Sequence, residues 1–428
     1  LHSVKIFQLF RELKPETTQN LLILFFTGLF FWTSLTLLLP TLPIYIEDLG
    51  GTAQQVGWVM GSFAIGLLLF RGVLGYLADR HSRKIVMLIG TTVVGLSPLG
   101  YYAIHTIWPL AAVRAFHGIS VAAFTTGYSA MVVDLSPVKQ RGELIGYMSL
   151  VVPVGMAIGP ALGGFLQESA GNGPLFLLSA GLGGLALLLA SRLVGGIPVQ
   201  ASITEDTPEY KIEKADSFVS DRSFGQMLAN PALLIPALIL LQIGLVFGAI
   251  ASFLPLFMRE IQVPLQAGMF YAAAAIASFA TRFFAGRASD QWGRGCFITG
   301  SLVCYGLAML LLSHAHSTQA FILAAILEGT GGGILIPMMI ALISDRSRAH
   351  ERGRVYSICI GGFDLGIAIA GPILGAVSMH WGYRTMFEVS SFLALFALGL
   401  FLLRSNKTVA HSLRFALGQD RDLYRLDR

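Results

Sequence analysis

From Leu21 to Leu403 the chain is a succession of long apolar runs separated by short charged or turn-rich breaks. A helix needs roughly 20 mostly apolar residues to cross a bilayer. Twelve runs of about that length are read, with cores near 20–42, 55–77, 85–104, 107–133, 144–167, 174–194, 232–257, 266–288, 296–314, 318–343, 354–378 and 383–403. None alternates apolar and polar residues at period two, as a lipid-exposed barrel strand must. The pattern predicts an all-α membrane protein. The one long polar break, 196–229, sets Glu205, Asp206, Glu209, Glu213, Asp216 and Asp221 against Lys211, Lys214 and Arg222, with Pro198 and Pro208. It predicts a linker between two six-helix bundles, 20–195 and 230–404, leaving an N-terminal segment 1–19 and a tail 405–428.

Composition narrows the class further. The chain is 54% hydrophobic and only 12% charged, whereas soluble domains carry roughly 25% Asp, Glu, Lys and Arg. So few charges cannot cover a soluble body of 428 residues, which excludes a cytosolic enzyme, a disordered scaffold and a disulfide-built secreted module. The 48 glycines suit close helix packing in lipid. Cys296, Cys304 and Cys359 have no metal spacing and read as small apolar fillers. Residues 1–20 have no short apolar core ending in a cleavage site, so the first span is expected to direct insertion.

The 29 Lys and Arg exceed the 24 Asp and Glu, yet their placement argues for topology, not for nucleic acid. With the N-terminus inside, all except Arg114, Arg259 and Arg384 fall on inner segments. Both termini are therefore expected in the cytoplasm, with the basic loops against membrane lipid.

The halves repeat. Arg71-x3-Gly75-x3-Asp79 recurs as Arg282-x3-Gly286-x3-Asp290, a shift of 211 residues. The same shift carries Gly118 onto Gly329, Asp134 onto Asp345 and Arg141-Gly142 onto Arg352-Gly353, while Gly159-Pro160 matches Gly371-Pro372 one residue later. Two pseudo-symmetric bundles of six transmembrane helices follow, the construction of many secondary transporters.

On these residues the chain resembles the major facilitator superfamily over nearly its full length. Gly75-Tyr-Leu-Ala-Asp79-Arg80-His-Ser82-Arg83-Lys84 is similar to that family's G-x-L-a-D-r-x-G-r-K loop, with Ser82 in place of a glycine and a less tight turn expected. The second copy keeps Gly293 and Arg294 but has Gly295 where a basic residue is usual. Arg114-x-x-His117-Gly118 resembles the family's intramembrane arginine motif, with His in the customary Gln place. Gly155-x3-Gly159-Pro160-x2-Gly163-Gly164 is similar to the motif of proton-coupled antiporters. Asp364-Leu-Gly366, followed by Gly371-Pro372-x-x-Gly375, resembles a bacterial drug- or sugar-efflux branch.

The resemblance implies a gate. Arg71, Gly75, Asp79, Arg80, Arg83 and Lys84 form its first copy and Arg282, Gly286, Asp290 and Arg294 its second. Asp79 is expected to dock on the start of span 11, near Gly353 and Arg352 or Arg354, and Asp290 to mirror it near Gly142. The alternative is a charged loop that only anchors topology. Gly155, Gly159, Pro160, Gly163 and Gly164, with Gly371 and Pro372, are expected to pack and kink spans 5 and 11, which generic membrane packing also explains.

Ionisable groups inside a bilayer are functional candidates by default. At 1.5 Å per residue, Glu328 and Asp364 lie roughly 15 Å from their helix ends, near the midplane of a core about 30 Å thick, and Arg114 roughly 10 Å deep. His117 and Glu328 are equivalent under the shift of 211. Spans 4 and 10 line the cavity in the resembled fold. Glu328 and, second, His117 are expected to face it and exchange protons, with Arg114, Asp364 and Gln242 as coupling or substrate groups. The alternatives are a paired structural carboxylate at 328, a satisfied hydrogen-bonding histidine at 117, a helix clamp at 114 and a helix contact at 364.

Asn20, Asn172, Asn230 and Asn406 lie at edges or loops and Gln242 is the one well-buried amide. A sugar site needs several such partners. Aromatics in spans 1 and 7 suit amphiphilic or cationic molecules better. The expected function is a proton-coupled antiporter exporting small organic molecules by alternating access, in a bacterial cytoplasmic membrane, as a monomer. It would use no cofactor and no metal, with the proton gradient as energy source. Alternatives are a facilitator or proton symporter for a sugar or other metabolite, or a non-transporting membrane assembly or sensor protein. An enzyme is disfavoured, because Gly329-Thr-Gly-Gly-Gly333 sits inside an apolar run with no preceding strand or phosphate-binding lysine.

Overall fold

The computed structural model describes residues 13, 15–137, 140–193, 224–348 and 351–426. Most of the expected linker, Lys139 and the first twelve positions lie outside the described residues. So do the side chains of Asp290 and of residues 352–354, and Gly286 is described only by its helical backbone. Every regular element among the described residues is an α-helix. Ten helical stretches among them are long and apolar enough to cross a membrane. The protein is an all-α, multi-span membrane fold made of two compact units.

The first unit takes the described parts of Leu1–Thr41 and Ile65–Ala201. Its helices are α1 (Pro15–Leu37), the later part of α3 (Ala53–Arg80), α4 (Arg83–Ala103), α5 (Ile107–Leu135), the short α6 (Arg141–Met148), α7 (Val151–Ala170) and α8 (Asn172–Ser191). α1 packs on α7 and α8, and α4 on α5 and α8. Phe31 of α1 stacks on Phe124 of α5 at 3.8 Å between ring centroids, and Phe124 on Tyr128 at 5.1 Å. Tyr128 then donates to the Met148 carbonyl at 2.9 Å. Paired hydroxyls fasten α1 to α8. Ser34 Oγ donates to Ser179 O at 2.7 Å and Ser179 Oγ to Ser34 O at 2.9 Å.

The glycines of α7 make its seat on α1. A methyl at Gly155 would come within 2.6 Å of Trp32 Cβ, one at Gly159 within 3.0 Å of the Leu37 nitrogen, and one at Gly163 would overlap the Leu37 carbonyl. Thr36 Oγ1 donates to Gly155 O at 2.9 Å across the same seam. In lipid, where water does not drive helices together, such backbone proximity carries the association.

The second unit comprises Leu42–Ala64 and the described part of Ser202–Arg428. It holds α2 (Leu42–Asp48), the first part of α3, α9 (Phe224–Leu228), α10 (Pro231–Glu260), α11 (Ala267–Trp292), α12 (Arg294–Ser313), α13 (Thr318–Asp345), α14 (Arg352–Arg404) and α15 (Val409–Ala416). Asn230 caps α10 by accepting from Ala232 N, with Pro231 at the first helical position, and Ser317 caps α13 by accepting from Ala320 N. α14 is two helices joined at Gly382, whose φ of 82° and ψ of 168° belong to a region essentially restricted to glycine.

The first helix of α14 uses small residues on two sides. Gly362 and Gly366 receive the backbone of α10 at Ala237 and Leu241, and Gly371 meets Gly57 of α3 so closely that a methyl on either would overlap the other's carbonyl. At the far end of α10, Arg259 pairs with Asp48 at 2.6 Å and Glu47 at 3.2 Å. Asp48 and Arg259 are themselves 211 residues apart.

Candidate functional site

The two gate-motif copies form matching ion pairs. Arg83, at the first residue of α4, pairs with Asp134 near the end of α5, and Arg294, at the first residue of α12, pairs with Asp345 at the end of α13 at 2.5 Å. The second pair is better enclosed, and Arg294 also donates to the Ala341 carbonyl at 2.6 Å. Both carboxylates sit one shift of 211 apart, so the repeat held the signal for these partners. Lys84 reaches the end of α8, donating to Ser191 O at 2.9 Å and Leu193 O at 2.6 Å.

Asp79 and Arg80 are exposed at the end of α3, Arg71 and Gly75 are half-buried, and Arg80 lies over the Tyr76 ring at 5.2 Å. Arg282 is exposed along α11. The turn between the motif helices is made in two ways. Ser82 is extended, at φ −165°, and caps α4 by accepting from Ile85 N. Its equivalent Gly293 has φ 83°, the left-handed region that favours glycine. The serine that departs from the family pattern therefore supplies a helix cap where the second copy uses backbone freedom.

Inside the first unit a polar chain runs through apolar surroundings. Arg114 and His117 lie on successive turns of α5, and Tyr101 faces them from α4; both Tyr101 and His117 are wholly buried. Arg114 hydrogen-bonds to the Tyr101 hydroxyl, which lies 3.1 Å from His117 Nδ1. An arginine only donates. The tyrosine oxygen therefore accepts from Arg114, and the direction of its bond with Nδ1 follows the tautomer of the imidazole.

The equivalent place in the second unit is built differently. Glu328 is buried on α13, 9% exposed, with the phenol groups of Tyr271 from α11 and Tyr305 from α12 in electrostatic contact. A methyl built at Gly332 would lie 3.0 Å from Tyr305 Oη and 3.9 Å from Glu328 Oε1, so both oxygens border the space beside that glycine. Arg282 reaches Tyr305 electrostatically from α11. Tyr271 spends its proton on the Ile250 carbonyl of α10 at 2.9 Å. Among the described residues Glu328 has no ion pair and no hydrogen bond. A carboxylate held there would carry a large desolvation cost with no counter-charge against it.

Asp364 and Gln242 are also buried, on stretches of α14 and α10 that pack together. Gln242 Nε2 donates to Leu238 O at 3.2 Å, and its Oε1 has no partner among the described residues. Pro160 and Gly164 are buried in α7 beside the glycine seam, and Pro372 follows Gly371 inside α14. No cluster of three or more potential metal ligands occurs among the described residues.

Comparison with known proteins adds to this geometry. The family model described as Major Facilitator Superfamily matches residues 24–315 and 264–419. The multi-drug resistance efflux pump PmrA of Streptococcus pneumoniae is 28% identical over 389 residues, which is 88% of this chain and 94% of that protein. The multidrug resistance protein MdtG of Yersinia enterocolitica is 26% identical over 384 residues, 87% of this chain and 88% of that protein. Among solved structures, a bacterial homologue of the human lysosomal transporter Spinster shares the fold, with a TM-score of 0.75 at 17% identity over 96% of this chain and all of that one.

Proposed function

The chain belongs to the major facilitator superfamily, and from that premise we propose that it is a proton-coupled antiporter that exports amphiphilic small organic molecules. It is a secondary transporter and not an enzyme, and it resides in the membrane as a multi-pass protein. The observation that carries the proton-coupled reading is Glu328, a buried carboxyl without ion pair or hydrogen bond among the described residues. Protonation removes the cost of burying it, and loss of the proton requires water or a cationic partner to reach it. A group with that property ties the charge of the helix bundle to which side of the membrane it opens. The relatives named as a multi-drug resistance efflux pump and a multidrug resistance protein support export of small organic compounds.

The proposal includes twelve spans. α14 counts twice because of Gly382, and α11, 26 residues long, joins the apolar stretches. It places both termini in the cytoplasm of a bacterial inner membrane, with the Arg83 and Arg294 pairs at the cytoplasmic ends. Asp79 and Asp290 act as gate carboxylates there, and Arg114 and His117 act as a fixed polar contact, with Asp364 and Gln242 as substrate-side groups.

Everted membrane vesicles containing the protein test this. Adding a panel of lipophilic cations to acidified vesicles should dissipate the pH gradient, and Glu328→Gln should abolish that response while leaving downhill exchange of the same compound. Uphill transport unchanged in Glu328→Gln removes the carboxyl from the mechanism. Equal transport with and without a gradient replaces the antiporter by a facilitator.

A further inference from the structure

The tail that follows Arg404 is a docked element and not a free end. Arg346, almost wholly buried, binds Asp422 through Nε at 2.7 Å, and donates to the Ser405 carbonyl at 2.7 Å and the Ala232 carbonyl at 3.0 Å. Tyr424 covers the same guanidinium at 5.1 Å. These contacts fix α15 against the start of α12. Thr299 Oγ1 donates to the Ala416 carbonyl at 2.9 Å, and the Phe415 carbonyl fills the space a side chain at Gly295 would need.

Thr299 is five residues into a membrane-spanning helix, roughly 7 Å along its axis. α15 therefore lies at the level where headgroups meet acyl chains. Exposed Trp292, which ends α11 and touches Gly418 through its carbonyl, marks the same level, as tryptophan does at membrane interfaces.

α15 is apolar over more surface than the protein covers. Ser412, Phe415 and Ala416 face α12 and Phe401. Val409, Leu413 and Leu417, spaced four apart on the adjoining face, are 49%, 39% and 57% exposed. Basic side chains border that stripe: Arg404, Lys407 and Arg414 are exposed. Among the described residues the nearby acids are Asp422, bound by Arg346, and Asp420, beside His411 at 2.6 Å. They are outnumbered by Arg404, Lys407, Arg414 and Arg421, so the surface around the stripe is net basic.

We propose that α15 is an interfacial anchor. Val409, Leu413 and Leu417 enter the acyl boundary of the leaflet on the basic side, and Lys407 and Arg414 bind the phosphates of acidic phospholipids. The occupant is the bilayer itself because the helix is held, by Arg346 and by α12, at the depth an amphipathic interfacial helix takes. The matching charge is that of anionic lipid. This inference needs only the membrane fold and stands whatever is transported.

The full-length protein in vesicles of phosphatidylcholine, with or without phosphatidylglycerol, tests it. A Leu413→Trp variant should gain emission that shallowly brominated lipids quench and aqueous iodide does not. The reverse order, or quenching by neither with a second copy cross-linked through residue 413, overturns the anchor. The pair Lys407→Gln and Arg414→Gln should reduce the phosphatidylglycerol dependence of thermal stability, each charge being worth about fivefold in lipid association. A dependence unchanged in that pair overturns the acidic-lipid part.

Discussion

Positions 117 and 328 are equivalent in the two repeats, yet their surroundings are opposite. At 117 the polar groups are joined to one another: arginine gives to tyrosine, and tyrosine shares a hydrogen bond with histidine. At 328 a carboxyl stands near two phenols with no ion pair among the described residues, and one of those phenols is already spent on a backbone carbonyl. Buried groups that share hydrogen bonds resist a change of charge more than a buried group that makes none. An unmatched carboxyl invites one. The duplicated scaffold thus carries a hydrogen-bonded group at one of two equivalent places and, among the described residues, a carboxyl without ion pair or hydrogen bond at the other.

The largest test of that contrast is functional. Glu328→Gln should reduce gradient-driven transport to background, whereas His117→Gln, which keeps hydrogen-bonding capacity, should retain most of it; flux in proteoliposomes with an imposed pH gradient reads both. Equal losses would make the two centres alike.

The next test is of stability. Tyr101→Phe strands Arg114 and His117 together and should lower unfolding stability by about 1–3 kcal/mol. Tyr305→Phe should cost less than half of that, since its hydroxyl serves an unmatched group; thermal unfolding in detergent compares them. A smaller effect follows at the motif turn. Gly293→Ser forces a side chain into the left-handed region at about 1–2 kcal/mol, while Ser82→Gly loses a cap worth a few tenths. Smallest are the ion pairs. Asp345→Asn and Asp134→Asn should each cost about 1 kcal/mol or less, with Asp345→Asn the larger because Arg294 and Asp345 are the better enclosed pair.

Much of this was legible in the chain. The apolar runs marked the helices, and the shift of 211 that paired Asp134 with Asp345 also named the acceptors for Arg83 and Arg294. The glycines of span 5 announced close packing, and the structure supplies its partner as α1 at Trp32, Thr33 and Leu37. The tail was less readable. Val409 to Ala416 is too short to stand out from a polar end, and its partners Gly295 and Thr299 are far away in sequence. Nor does hydropathy tell which face of a span meets lipid and which meets protein, because both faces are apolar.

By itself the sequence determined the class, the helices and the internal duplication. Satisfaction of backbone hydrogen bonds in lipid admits only helices and closed barrels, and long apolar runs without alternation leave the helix. Tertiary structure alone decided that α3 is shared between two units, with Gly57 against Gly371, and that Gly382 bends one helix into two. It also decided that His117 shares a hydrogen bond with Tyr101 while Glu328 makes none among the described residues. Those outcomes depend on which side chains approach from other helices, and periodicity along one helix carries no record of its neighbours.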